Sequence, residues 1–371
     1  MTSPRRVVVV YSRVGGGHLS AARALVEELE ATGEATARVV DAYLECGQFP
    51  VTQFPAAYAG LARHHPRLWA MIYHGSRGLD PKRVLAPFLS RGFHRLMDAE
   101  RPDLVVSVLP AINALLAEAA GNVHAPLDVV LTDWHAVHRF WVAAGVRHYT
   151  TPTESARQDC VRFGAAASAI EVVGIPVRRA FSTVSDRAAD RARCLTELGL
   201  DPRRFTLLAM VGAEGSPRAL KNIDRLAQLD RDLQLLVICG HNTALRQHVE
   251  RLQTRTPVLA LGFVHNVAEL MRSADLLVTK AGGLTLAEAF CCGVPTVVHD
   301  VLAGQEAGNL EYVRRCQAVV YAPDAAALTR LVAELHDDPD RRAALADRGA
   351  SLARPLAAHQ IAHALLARTA D

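Results

Sequence analysis

A run of three glycines followed by a histidine, Gly15–His18, is the first segment whose residue types suit chemistry. It lies between an apolar run that predicts a strand, Arg6–Tyr11, and a predicted helix, Leu19–Glu30. Consecutive glycines let the backbone approach a ligand closely, and the first turn of a helix offers free N–H groups. Because a neutral imidazole accepts protons near pH 7, His18 is a candidate general base toward a hydroxyl nucleophile.

Two other interpretations of this loop stay open. The spacing Gly15-x-Gly17-x-x-Ser20, followed by Asp41 at the end of the next predicted strand, approaches a dinucleotide-binding fingerprint, although the third glycine is missing. Such a fingerprint would indicate a nicotinamide-dependent enzyme. Alternatively, His18 only caps the start of the helix. The loop alone does not decide among the three.

A second glycine-containing segment, Ala281–Thr285, follows the predicted strand Leu276–Thr279. The start of a helix there would offer N–H donors and a favourable dipole to a diphosphate. Glu288 lies one turn beyond Thr285, where a carboxylate can bind ribose hydroxyls. The spacing Thr285-x-x-Glu288 is also that of a capping box that merely begins a helix, so both interpretations stay open for this segment alone.

Three more loops of the second half have ligand-binding character and follow predicted strands. Their candidate donor-binding residues are Gly212, Glu214 and Gly215, then Phe263 and Val264, and then Gln305, Glu306 and Asn309. Phe263 and Val264 can flank a flat base, and the amide of Gln305 and the carboxylate of Glu306 can hydrogen-bond sugar hydroxyls. Four such loops in one domain favour a nucleotide-sugar site.

The elements that must position these loops alternate between short β-branched runs and helical patterns, which indicates α/β domains with parallel sheets. Predicted strands of the first half are Arg6–Tyr11, Ala37–Asp41, Leu104–Val108, Leu127–Leu131 and Glu171–Val173. Those of the second half are Thr206–Val211, Leu233–Cys239, Val258–Leu261, Leu276–Thr279, Thr296–His299 and Ala318–Tyr321. We expect two Rossmann-like domains, 1–176 and 177–352, facing across a cleft, with 353–371 as a helix that returns to the first domain.

Composition excludes several classes of protein. The chain has 371 residues, 50% of them hydrophobic, and its net charge of +3 does not favour nucleic acid as a partner. Its seven cysteines are scattered without C-x-x-C spacing, a pattern typical of reduced thiols. No apolar run reaches the length of a transmembrane helix or a signal-peptide core, so we expect a soluble protein, at most bound to a membrane surface.

The segment Phe49–Arg95 concentrates basic and aromatic side chains against a single acidic residue, Asp80. Basic residues beside aromatic anchors are typical of a surface that binds an anionic membrane. The predicted membrane contacts are Arg63, Arg67, Trp69, Lys82, Arg83 and Phe88. The competing interpretation is that these aromatic residues pack into the domain core.

Further motifs, in their order and spacing, carry a family resemblance. They are Gly15–His18, Thr132–Trp141 (TDWHAVHRFW), Gly174–Val177 (GIPV), Cys239–Asn242 (CGHN), Gly262–Val264 (GFV), Thr279–Ala289 and Gly304–Asn309. Together they resemble the monogalactosyldiacylglycerol synthase and processive diacylglycerol glucosyltransferase family, which are inverting enzymes of the GT-B fold. The resemblance runs from about Arg6 to about Leu352.

The resemblance implies a role for each matching residue. His18 or Asp133 would be the catalytic base, and Gly16, Gly17, His138 and Trp141 would lie on the acceptor side. Gly282, Gly283 and Thr285 would hold the diphosphate, Glu288 the ribose, Phe263 and Val264 the uracil, and Gln305 and Glu306 the sugar. Two departures are Ala281, where the family usually has proline, and Leu109, where plant galactosyltransferases have histidine, so no particular sugar is predicted.

The predicted function is inverting transfer of a hexose from a UDP-sugar to a lipid acceptor of the diacylglycerol type. Helix-start N–H groups would stabilise the departing diphosphate, so neither a cofactor nor a metal is expected. The expected location is cytoplasmic, peripheral on the inner face of the cell membrane. Alternative functions are a UDP-sugar epimerase, a transferase that acts on a non-glycerolipid acceptor, and a non-catalytic nucleotide-binding module.

Overall fold

A computed structural model describes residues 3–14, 16–183, 186–210, 217–302, 304 and 306–369, without the side chains of Arg63 and Pro217. Its contacts divide the chain into two compact units. The first unit comprises Met1–Arg179, Ala303–Asn309 and Arg354–Asp371, and the second comprises Ala180–Leu302 and Leu310–Ala353.

The first unit is built on a six-stranded parallel sheet of order β2-β1-β3-β4-β5-β6. Its strands are β1 (Arg5–Tyr11), β2 (Ala35–Asp41), β3 (Leu104–Ser107), β4 (Leu127–Val130), β5 (His148–Thr151) and β6 (Ile170–Val172). The four consecutive valines of β1, Val7–Val10, are all buried. Such continuous apolar runs form strands covered on both faces, as parallel sheets require.

The second unit repeats this plan with a parallel sheet of order β12-β11-β10-β7-β8-β9. Its strands are β7 (Phe205–Met210), β8 (Leu233–Ile238), β9 (Val258–Leu261), β10 (Leu276–Lys280), β11 (Thr296–Asp300) and β12 (Val320–Tyr321). The α/β prediction of two Rossmann-like parallel sheets is therefore confirmed. The sequence analysis missed β5, because the alternating apolar signal is absent from its His-Tyr-Thr-Thr sequence.

Helices cover both sheets and connect successive strands. They are α1 (Gly16–Ala31), α2 (Ala42–Glu45), α3 (Phe54–His64), α4 (Pro66–Gly75), α5 (Pro81–Glu100), α6 (Asn113–Asn122), α7 (Glu154–Arg162), α8 (Arg179–Ser182), α9 (Arg187–Glu197), α10 (Pro217–Leu226), α11 (Thr243–Glu250), α12 (Val267–Ser273), α13 (Gly283–Cys291), α14 (Ala307–Arg315), α15 (Ala325–Asp337), α16 (Pro339–Leu352) and α17 (Ala357–Ala367). Short 3₁₀ helices occupy Val51–Gln53, Ser76–Gly78, Arg139–Trp141 and Ala167–Ala169.

The last helix, α17, is part of the first unit. Ile361 and Leu365 of α17 share one buried core with Leu25 and Leu29 of α1. Immediately after α17, Arg368 lies 3.3 Å from the Asp128 carboxylate of β4, which is buried and also paired with Arg147. Apolar packing and a buried ion pair thus both hold the C-terminal helix to this sheet.

Within the described ranges, none of the helices combines the length and the apolar character needed to cross a bilayer. The segment predicted to meet a membrane forms α3, α4 and α5, with a 3₁₀ turn between the last two.

Candidate active site

His18 lies in the first turn of α1 and is 7% exposed. Burial lowers the pKa of His18 to about 4, although a hydrogen bond to the backbone of Val108 acts in the opposite direction. Nδ1 has no hydrogen-bond partner among the described residues, so we assign the bond to Val108 to Nε2–H. The imidazole is therefore neutral at pH 7, and its buried Nδ1 has an unused lone pair among the described residues.

Asp133 follows β4 and receives a hydrogen bond from a buried tryptophan. Nε1 of Trp141 donates to Oδ2 of Asp133 over 2.9 Å. Burial raises the pKa of Asp133 to about 6; the Trp141 hydrogen bond lowers it and the nearby charge of Glu306 raises it further. A carboxylate with a pKa near neutrality suits proton abstraction from a hydroxyl better than an ordinary surface acid does.

His18 and Asp133 both line an apolar cavity of about 330 Å³ within the first unit. Most of its lining comes from aliphatic and aromatic side chains of α3, α4, α5 and the loops near them, such as Tyr58, Trp69, Ile72, Leu85 and Phe140. Two proton acceptors thus face a space that excludes water and favours hydrocarbon. The sequence analysis did not find this cavity, because residues from at least five elements form it.

One wall of the cavity is formed where two 3₁₀ helices meet. His138 accepts a hydrogen bond at Nδ1 from the N–H of Phe140, and its Nε2 lies 3.3 Å from Oγ of Ser76. The His138 ring also contacts Tyr73, with 4.9 Å between ring centroids. Burial is the main cause that lowers the pKa of His138 to about 4. His138 is therefore neutral and held in place, as a lining residue of the predicted acceptor side.

Residues 306–309 lie against the loop that carries Asp133, within the first unit. Oδ1 of Asn309 accepts a hydrogen bond from the N–H of Trp134 over 2.8 Å. A Cβ at Gly308 would lie 2.2 Å from the carbonyl oxygen of His135, so this approach requires glycine. Glu306 is 6% exposed and its charge acts on Asp133. Asn309 thus anchors the segment, and its predicted contact with a donor sugar stays a prediction.

The predicted diphosphate segment begins α13. Gly282 is the N-cap and Gly283 the first helical residue, so the helix starts with backbone N–H groups and no side-chain cap. Thr285 is the third residue of the helix, so it cannot be the N-cap of a capping box, and that interpretation of Thr285-x-x-Glu288 is wrong. Glu288 is 7% exposed, on the same helix. These positions fit an anion bound at a helix start.

Phe263 follows β9 and is 53% exposed. Its ring is stacked on His241, with 4.5 Å between centroids and 10° between planes, and His265 meets it edge-on. Val264 beside it is half-buried. The sequence analysis predicted the aromatic residue but gave no role to His241, whose proximity depends on the pairing of β8 with β9.

Four predicted donor residues, Gly212, Glu214, Gly215 and Gln305, lie outside the described residues, as does Gly15 of the glycine run. Of the predicted acceptor-side residues, Gly16 and Gly17 begin α1, and Trp141 is fully buried beneath Asp133. Trp141 therefore acts through Asp133 and does not line the cavity.

The structure removes the basis of the dinucleotide interpretation. Oδ1 of Asp41 caps α2 through the N–H groups of Tyr43 and Leu44, and Oδ2 accepts from the N–H of Arg13 at 3.0 Å. Both oxygens of this buried carboxylate are occupied by backbone donors, so it is not placed to bind a ribose.

Known protein families match both parts of the chain. Residues 18–177 match the monogalactosyldiacylglycerol (MGDG) synthase family, and residues 208–351 match glycosyl transferases group 1. The chain is therefore similar to the MGDG synthase family in its first part and to group 1 glycosyl transferases in its second. The family resemblance seen in the motifs is thereby confirmed.

Among its relatives, the chloroplastic monogalactosyldiacylglycerol synthase of Spinacia oleracea is 33% identical over 84% of the chain and 62% of the relative. The chain thus spans less than two thirds of the spinach enzyme. The processive diacylglycerol beta-glucosyltransferase of Bacillus cereus (strain AH187) is 29% identical over 98% of the chain and 93% of the relative. The crystal structure of Acinetobacter baumannii MurG matches 98% of the chain and all of MurG, with a TM-score of 0.63 and 14% identity, which supports the GT-B fold.

The predicted membrane contacts fall into two groups. Arg67, Lys82 and Arg83 are exposed, although Lys82 pairs with Glu118 and Arg83 with Asp80. Trp69 and Phe88 are half-buried, and Trp69 lines the apolar cavity. The side chain of Arg63 is not described. Exposed apolar groups that the sequence analysis missed are Leu68, Met71, Ile72, Leu79 and Val84.

Proposed function

We propose that this glycosyltransferase transfers a hexose from a UDP-sugar to diacylglycerol or a glycosyl-diacylglycerol, with inversion at the anomeric carbon. The observation that carries the proposal is the apolar cavity that contains both His18 and Asp133. Each methylene of an acyl chain gains about 0.8 kcal/mol on leaving water, so such a cavity selects a lipid over a sugar or peptide. Two relatives, named as a monogalactosyldiacylglycerol synthase and a processive diacylglycerol beta-glucosyltransferase, support diacylglycerol as the acceptor and a hexose as the transferred sugar.

We propose Asp133 as the general base. Its pKa of about 6 lies closer to neutrality than that of His18, at about 4, and a stronger base abstracts the hydroxyl proton more readily. Oδ2 is held by Trp141, while Oδ1 has no hydrogen-bond partner among the described residues. His18, which lines the same cavity and whose Nδ1 has no partner among the described residues, then helps to orient the same hydroxyl.

For the donor, the start of α13 supplies the diphosphate site. N–H groups beyond Gly282 point out of the helix N-terminus and stabilise the charge that develops on the leaving UDP. Glu288 binds the ribose, and the exposed Phe263 offers a face to the uracil. We propose that this helix start performs the charge stabilisation and that the chemistry needs neither a metal nor a cofactor.

We further propose that the protein binds the inner face of the cell membrane as a peripheral protein. Met71 and Ile72 of α4 are 71% and 47% exposed, and Ile72 also lines the cavity. Together with the exposed Arg67, they present apolar and basic groups where an acyl chain would enter. The cytoplasmic leaflet is anionic and attracts such surfaces.

The test is a product assay by mass spectrometry, with a panel of UDP-sugars and diacylglycerol in neutral detergent micelles. The expected result is a hexosyl-diacylglycerol and UDP, formed by the wild type and lost in Asp133→Asn. Conversion of UDP-sugar to its epimer without a lipid would support the epimerase alternative. Glycosylation of a different amphiphile in preference to diacylglycerol would refute the acceptor.

A further inference from the structure

Tyr73 of α4 contributes a phenol to the lining of the apolar cavity that contains His18 and Asp133. Oγ of Ser76 donates to the backbone carbonyl of Tyr73 over 2.8 Å, whereas the Tyr73 hydroxyl has no hydrogen-bond partner among the described residues. A phenolic O–H in apolar surroundings normally finds a partner, because leaving it unpaired costs free energy. We therefore expect the ligand that fills this cavity to bring an acceptor oxygen to Tyr73.

The ring of Tyr73 is packed between a side chain and a stretch of backbone. The imidazole of His138 lies 4.9 Å from it between centroids. Gly304, with a φ of +90°, approaches the ring so closely that a Cβ there would lie 2.7 Å from Cδ1 of Tyr73. Both the backbone conformation and the close approach require glycine. Contacts of this kind restrict the ring, so the hydroxyl is presented from a fixed position.

Tyr73 lies within the electrostatic influence of the proposed base. Burial raises the pKa of Tyr73, the negative charge of Asp133 raises it further, and Arg77 acts in the opposite direction. The phenol therefore stays protonated at pH 7 and acts as a hydrogen-bond donor. Asp133 is held through Oδ2 by Trp141 and not by this phenol. A donor and a proton acceptor thus line the same cavity, and one ligand can use both.

We propose that the Tyr73 hydroxyl donates a hydrogen bond to an ester carbonyl oxygen of the acceptor lipid, so that the enzyme prefers ester-linked to ether-linked acceptors. In a diacylglycerol, one ester carbonyl lies only a few bonds from the free hydroxyl, so a single molecule can meet Asp133 and Tyr73 together. An ether-linked lipid has the same hydroxyl and similar chains but no carbonyl, and it would leave the Tyr73 donor unpaired. This inference rests on the proposed transfer to diacylglycerol and adds a residue that determines the linkage.

The test compares kcat/KM for 1,2-dioctanoylglycerol and for its diether analogue 1,2-di-O-octylglycerol, both in neutral detergent micelles. We expect the wild type to favour the ester by about 3–10-fold, the usual effect of one neutral hydrogen bond. Tyr73→Phe keeps the ring and removes the donor, so it should bring the ratio to about 1 by lowering the rate with the ester alone. Tyr43→Phe removes another phenol that lines the same cavity, near Asp41, and is expected to keep the wild-type ratio.

A wild-type ratio that Tyr73→Phe leaves unchanged, or that Tyr43→Phe alone abolishes, would overturn the inference. Equal losses with both lipids in Tyr73→Phe would also overturn it, since they would show that Tyr73 acts through Asp133; the acid limb of the pH profile would then move to higher pH. Transfer by the wild type to neither lipid would refute the proposed function and this inference with it. Transfer to both lipids at equal rates would refute the inference alone, so the two failures are distinguishable.

Discussion

The indole of Trp141 donates its N–H to Oδ2 of Asp133 over 2.9 Å, and its ring lies 6.3 Å from that of His18. The Trp141 side chain is fully buried. One tryptophan therefore fixes the carboxylate and borders the imidazole, which explains how two residues more than a hundred positions apart keep a constant geometry. The proposed base depends on this contact.

Asp133→Asn is expected to lower kcat by about 10²–10⁴, the usual contribution of a general base. The amide oxygen of asparagine can still accept from Trp141, so the loop should keep its position. Transfer to diacylglycerol is the measurement, with UDP affinity measured separately to show that donor binding is retained. The exposed Asp98→Asn serves as the control, and wild-type kcat in Asp133→Asn would exclude this carboxylate as the base.

The same variant is expected to be more stable than the wild type at pH 7. Burial raises the pKa of Asp133 to about 6, so ionisation of this acid disfavours the folded state. The stability that the folded state gains from the neutral Asp133 carboxyl is fully present below the ordinary carboxyl pKa, and it is lost as pH rises through about 6. Because one pKa unit corresponds to about 1.4 kcal/mol, Asp133→Asn should gain roughly 2–3 kcal/mol in free energy of unfolding at neutral pH and nothing near pH 3.5. Urea unfolding at both pH values checks this; an equal effect at the two would contradict it.

The pH dependence of kcat/KM identifies the base. If Asp133 accepts the proton, the rate should fall as pH decreases through about 6, because the carboxylate is protonated below its pKa. If His18 accepts it instead, the rate should stay level down to about 4. Initial rates in detergent micelles over this interval separate the two, with protein stability verified at each pH. A level profile through pH 6 would assign the role to His18.

Met71→Asp is expected to weaken vesicle binding while it leaves the rate with a soluble short-chain acceptor unchanged. Met71 is 71% exposed on α4 and does not line the apolar cavity, so the substitution opposes contact with a bilayer without altering the site. Leu356→Asp, at a position 57% exposed outside this region, is the matched control. Equal binding losses in the two variants would show that α4 is not the membrane-facing element.

Gly308→Ala is expected to lower both stability and activity. The added Cβ would lie 2.2 Å from the carbonyl oxygen of His135, and a backbone atom cannot move aside as a flexible side chain can. Overpacking of this kind costs about 1–3 kcal/mol. Thermal unfolding is the measurement, with Gly121→Ala as control, since a Cβ there meets nothing within 4 Å. An unchanged unfolding temperature in Gly308→Ala would show that the segment is free to shift.

Features that depend only on neighbouring residues could be predicted from the sequence. The valines of β1 predicted a buried parallel strand, and the glycines at 282 and 283 predicted a helix start, because both signals are local. Local signals also have limits. The polar sequence of β5 hid a strand that exists only through pairing with β4 and β6, and the spacing of Thr285 and Glu288 suggested a cap that the actual start of α13 excludes.

Which side chains meet, and how their environment changes them, follows from the three-dimensional fold. The raised pKa of Asp133 requires burial beside Trp141, and one wall of the apolar cavity requires two 3₁₀ helices that join where Ser76 meets His138. Both depend on contacts between residues far apart in the chain, which no local pattern encodes. The sequence thus provided a sheet, a glycine loop and a set of charged residues, and the fold turned them into an apolar cavity with a proton acceptor inside it.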